Sequence, residues 1–80
     1  MDELTQILEN TDLRATAIAR LLTLIEQDSD IINRHRAAGD SGPYMQQYVE
    51  LRETNLARLT RLLEANGTIR ADLHVAEQAA

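Results

Sequence analysis

Apolar residues recur through the first half of the chain with alternating spacings of four and three: Leu4, Leu8, Thr11, Ala15, Ile18, Leu22, Ile25, Ser29 and Ile32. That spacing is the signature of a helix with one seam turned toward a partner helix. It predicts a helix from about residue 2 to residue 37, with Asp2 as its N-cap and Arg34, His35 and Arg36 at the end where cations favour the helix dipole. Unbroken, such a helix is on the order of 50 Å long at about 1.5 Å per residue. Asn10-Thr11-Asp12 offers a restart inside it, because Asn and Thr cap helices well and sit poorly in their interiors, and a short leading helix before it is the alternative.

The run Ala38-Gly39-Asp40-Ser41-Gly42-Pro43 interrupts the pattern. Two glycines and a proline around Asp and Ser predict a loop over residues 38–42, with Pro43 in the first turn of the next helix, where its missing N–H costs nothing. A second helix is expected from about residue 43 to residue 65, with a seam of Met45, Val49, Arg52, Leu56, Leu59 and Leu63. Tyr48 and Leu62 flank this seam, and Asn66-Gly67 ends it. In the tail, residues 68–80, Ile69, Leu73 and Ala76 suit a short helix. The alternation of Ile69, Ala71, Leu73 and Val75 with Arg70, Asp72 and His74 equally suits an extended segment. The helix is the preferred expectation.

Folding the helices back on each other about the short loop pairs residues whose numbers sum to about 81. Val49 then meets Ile32, Leu56 meets Ile25, Leu59 meets Leu22, and Leu63 meets Ile18. Arg52 arrives opposite Ser29 and Asp28, so a buried polar pair of Asp28 and Arg52 is expected to satisfy an otherwise costly charge on the seam. Two surfaces stay bare in this arrangement. Leu4, Ile7 and Leu8 outrun the second helix. Leu13, Ala17, Leu24 and Ile31 form a second apolar line on the first helix, with Leu21 on the opposite shoulder. A helix apolar on two sides is normally covered on two sides. The expected fold class is therefore all-α: an antiparallel helical hairpin with a short C-terminal helical or extended tail, forming a single domain and completing a four-helix bundle as a homodimer. The interface residues assigned to it are Leu13, Ala17, Leu21, Leu24, Ile31, Tyr44, Met45 and Tyr48, the last three being aromatic and Met side chains clustered beside the loop.

Composition narrows the picture. Eighty residues support one small core at most, and the chain has no cysteine, which excludes disulfides, thiolate metal sites and Cys nucleophiles. The net charge is −5 and every cation is Arg, interleaved with carboxylates, which argues against nucleic-acid binding. No apolar run reaches the roughly 18–20 residues that span a bilayer, and the acidic Met1-Asp2-Glu3 is unlike a secretory signal. A soluble cytoplasmic protein is the expectation.

Candidate chemistry is thin. Gly39-Asp40-Ser41-Gly42 resembles the segment around the nucleophile of chymotrypsin-like serine proteases, but a short helical chain lacks the β-barrel and the separately placed His and Asp of those enzymes. His35 and His74 have no ligand-type partner one helical turn away, so no metal or cofactor is expected. Glu50, Glu53 and Glu64 beside Arg52 and Arg61 suit surface charge pairing better than acid–base work. The expected function is a non-catalytic protein–protein interaction module of adaptor, regulator or assembly type, binding a second copy or a larger protein. The alternative is a small ligand-binding or sensory bundle with a polar layer near Arg52 and Asp28.

Overall fold

The computed structural model describes residues 10–40 and 42–76. The expected Asp2 cap and the bare Leu4, Ile7 and Leu8 lie outside the described residues. Within them the chain forms two helices, α1 (Thr11–Ala37) and α2 (Pro43–Leu63), packed side by side as an antiparallel hairpin.

The first helix begins at Thr11, not near residue 2. Asn10 is extended, and its Oδ1 accepts the Leu13 amide at 3.0 Å, satisfying one of the N–H groups that a helix start leaves without a partner. The alternative start at Asn10-Thr11-Asp12 is thus the one used. At the other end, the amide of Gly39 donates to the Arg36 carbonyl at 3.0 Å and that of Asp40 to the His35 carbonyl at 2.8 Å. These two bonds require a left-handed residue between them, and Gly39 supplies it at φ +74°. Asp40 then turns back: its Oδ1 accepts the Gly42 amide at 2.9 Å, and its Oδ2 lies 2.7 Å from His35 Nδ1. Pro43 opens α2, as its fixed φ suits.

The tail corrects the preferred helix: among the described residues, 69–76 form no helix and pair with no strand of the chain. Gly67, at φ +77°, turns the chain away from α2. Glu64 Oε2 accepts the Ala71 amide at 3.0 Å, and Leu73 packs on the core between the helices. A side-chain acceptor and one apolar anchor replace the regular backbone pairing that either element would supply.

The core has two compartments. Leu21, Leu59 and Leu62 form a cluster, with Ala17, Ile18, Ile25, Leu63 and Leu73 packed around it. Ile32, fully buried, stands apart toward the loop. The register differs by one residue from the expected seams. Leu21 is 9% exposed and faces α2, whereas Leu22 is 45% exposed. On α2, Leu62 and Asn55 are buried and the expected seam residues Leu63 and Leu56 lie half-buried beside them. Leu21 therefore belongs to the core within the hairpin and not to an outer interface.

The Cα trace measures 44 × 25 × 15 Å. The two helices share one line of contact, and Leu73 of the tail packs against the core cluster along it.

Candidate functional site

Between the two apolar compartments lies a polar layer. Asp28, Arg52 and Asn55 are 5%, 5% and 2% exposed. Asn55 Nδ2 donates to Asp28 Oδ2 at 3.2 Å, and Arg52 Nη1 donates to Ser29 Oγ at 3.1 Å. Asp28 and Arg52 are both buried, as a polar pair on the seam requires, but no ion pair joins them: the partner of Asp28 is Asn55. Arg52 Nε is buried and has no hydrogen-bond partner among the described residues. Taking these groups out of water costs free energy, and two bonds across the interface offset it only in one alignment of the helices. The layer therefore resists sliding of one helix along the other.

The same two bonds separate the flanks of the hairpin. Successive side chains turn by about 100° around a helix. Measured from the line Leu21–Asp28–Ile32, residues Leu13, Arg20, Leu24 and Ile31 of α1 fall on the flank where Asn55 meets Asp28. In the antiparallel partner, Tyr44, Leu51 and Arg58 fall on that flank, with Tyr48 at its inner margin. The opposite flank, where Arg52 meets Ser29, carries Leu22 and Glu26 of α1 and Val49, Glu53 and Leu56 of α2.

Exposure on the first flank is large. Leu13, Leu24 and Leu51 are among the exposed large apolar residues, and Tyr44 is 72% exposed. Ile31, Met45 and Tyr48 are half-buried. Ala17 is half-buried too, but against the hairpin's own Leu21–Leu59–Leu62 cluster. Of the eight residues assigned to an interface, Leu13, Leu24, Ile31 and Tyr44 lie on this flank and Tyr48 borders it, while Leu21 and Ala17 serve the internal core. Met45 sits on the seam at the loop end, beyond the polar layer. Sequence reasoning missed Leu51, an exposed leucine on α2. The signal for it was its place one turn from Tyr48 on the same side. It also missed Asn55, which neighbours the expected seam residue Leu56.

A shallow, open hollow of about 500 Å³ is lined by Gln47, Tyr48, Glu50, Leu51 and Thr54. Glu50 stands at the outer edge of α2, bordering the flank. At the loop, the Asp40 carboxyl is held below its ordinary value of 3.8, first by the hydrogen bond from the Gly42 amide and then by the one to His35. The ion pairs Arg34–Asp30 and His74–Asp72 are exposed and stabilise little. Among the described residues, no cluster of three or more His, Cys, Asp or Glu is placed to hold a metal ion, and no helix is long and apolar enough to cross a membrane. Compared with family models, with curated proteins and with solved structures, the chain matches none.

Proposed function

We propose that the chain is a non-catalytic protein–protein interaction module: a helical hairpin that self-associates, completing a four-helix bundle as a homodimer, and acts as an adaptor, regulator or assembly factor. The observation that carries this reading is the row of large side chains, Leu24, Leu51 and Tyr44, left exposed along one flank of a two-helix hairpin. Two helices enclose a single line of contact, and a second pair laid on that flank supplies the missing layer. Light scattering on the purified chain at micromolar concentration, with circular dichroism on the same sample, tests the reading. A helical particle of twice the 9.0 kDa chain mass supports it. A well-folded particle of one chain mass refutes it.

One observation favours a second reading, that of a small ligand-binding or sensory bundle. The buried Arg52 Nε has no partner among the described residues, and an anionic group from a small molecule would supply one. A panel of carboxylates and phosphates that leaves the melting temperature unchanged would remove that reading.

A further inference from the structure

The turn after α2 joins two residues that can react with each other. Asn66 and Gly67 are both exposed there. Among the asparagines of the chain, Asn66 alone precedes a glycine: Asn10 is followed by Thr11, Asn33 by Arg34 and Asn55 by Leu56. Glycine has no Cβ to shield its backbone nitrogen, and at Gly67, with φ +77°, nothing lies within 4 Å of the place a Cβ would take. Joining that nitrogen to Asn66 Cγ closes a succinimide ring.

The side-chain carbonyl of Asn66 is polarised for such an attack. Its Oδ1 accepts the Thr68 amide at 3.2 Å and the Thr68 hydroxyl at 2.8 Å. Two donors on one oxygen stabilise the negative charge that builds on it as a nucleophile adds. The Gly67 amide donates to the Glu64 carbonyl at 3.0 Å and must leave it to lose its proton. That bond lies past the end of α2, where a helix frays and opens most easily.

We propose that Asn66 is a self-modifying site, which deamidates in the folded protein and whose isoaspartate product frees the tail. The Gly67 nitrogen gives its proton to hydroxide and adds to Asn66 Cγ. The bond from Cγ to the side-chain nitrogen then breaks, and ammonia leaves with a proton returned from water. Nothing is oxidised or reduced. Water opens the succinimide on either side. Cleavage of the new Cγ–N bond gives aspartate and leaves the backbone as it was. Cleavage of the original backbone C–N bond gives isoaspartate, whose chain runs through Cβ and Cγ and is one carbon longer. The tail is anchored by the Ala71 amide on Glu64 Oε2 at 3.0 Å and by Leu73 on the core cluster. Residue 66 lies between Glu64 and Ala71, so lengthening the chain there moves both anchors off their seats. Aspartate adds a charge but keeps an acceptor for the Thr68 donors.

Peptide mapping by mass spectrometry, on the full chain held in warm, mildly alkaline buffer with and without urea, tests the first half. In the folded chain, Asn66 is expected to convert at least about 10-fold faster than the helical Asn33, and within about 10-fold of its own rate in urea. Gly67→Ala is expected to slow conversion by at least about 10-fold, since a methyl group obstructs the nitrogen. Hydrogen exchange at the Ala71 amide reads the tail: at least about 10-fold faster in the isolated isoaspartate form, and within about 2-fold of the original in Asn66→Asp. Circular dichroism shows that each form keeps its helices. An Asn66 that stays an amide in the folded chain overturns the proposal, whether or not it reacts in urea. So does an Ala71 amide equally protected in the isoaspartate form, or one loosened as much by Asn66→Asp.

Discussion

Truncating Leu21 and Leu22 in turn separates the observed register from its neighbour. Leu21 packs against Leu59 and Leu62 with 9% of its surface exposed, and Leu22 points to the flank of Ser29 and Arg52 with 45% exposed. Removing three carbons from a buried leucine loses their transfer free energy and leaves a cavity, which together cost about 2–5 kcal/mol. With 9% of its surface still exposed, Leu21 loses less than a fully enclosed side chain, which places Leu21→Ala in the lower half of that range, about 2–3 kcal/mol. A chain of 80 residues has a total stability on the order of 4–12 kcal/mol, so this is a large share. At about 4–8 °C per kcal/mol for a domain of this size, the melting temperature should fall by about 10–20 °C. Leu22→Ala removes atoms already half in water and should cost under about 1 kcal/mol. Urea unfolding followed by far-ultraviolet circular dichroism, at one fixed protein concentration, measures both. If Leu22→Ala costs as much as Leu21→Ala, the packing described between α1 and α2 is wrong.

Other expected outcomes concern the polar layer and the loop. Asn55→Ala should destabilise by about 1–3 kcal/mol, because it strips the buried Asp28 carboxylate of its partner. Asn55→Leu combined with Asp28→Leu should cost less than the sum of the single changes, a coupling of at least about 0.5 kcal/mol in a double-mutant cycle; strict additivity would mean that the two side chains do not interact. Gly39→Ala should cost about 1–2 kcal/mol in thermal unfolding, since φ is +74° and an added Cβ meets no clash, leaving backbone strain as the cause; a neutral result would contradict the left-handed turn. The Asp40 carboxyl should titrate below 3.8 by nuclear magnetic resonance. A carboxylate held low in the folded state lends stability above its unfolded value and loses it as pH falls through the folded one, so this contribution fades only in strong acid. His35→Ala should move the titration only part of the way back, because the Gly42 amide is the larger cause.

Much of the fold is legible in the sequence, and the parts that are not share one cause. The loop and the glycine turns at Gly39 and Gly67 follow from local chemistry, as does Pro43 at the head of α2. The register does not. Between Ile18 and Ile25, α1 has leucine at positions 21, 22 and 24, so two seams one residue apart fit equally well. The choice then falls on the polar positions, where Ser29 looks the better core residue than the charged Asp28. Asp28 is nonetheless the one buried, because Asn55 on the other helix satisfies it. Asn55 was hidden for the same reason, since each residue looks like surface until the other is placed opposite it. The two flanks shift with the register, which is why Leu21 read as interface and Leu22 as core. The tail was ambiguous because its alternation fitted a helix and an extended segment alike, and it is no helix: a Glu64 acceptor and Leu73 as anchor hold it against the hairpin.

The proposed self-association turns on an apolar flank that the hairpin leaves exposed and that a second copy would cover. The concentration dependence of unfolding tests that directly. If folding and pairing are linked, raising the chain concentration 100-fold stabilises the dimer by about 2.7 kcal/mol by mass action, and the urea midpoint rises with it. A midpoint that stays fixed across that range, with the chain fully helical at the dilute end, would contradict it.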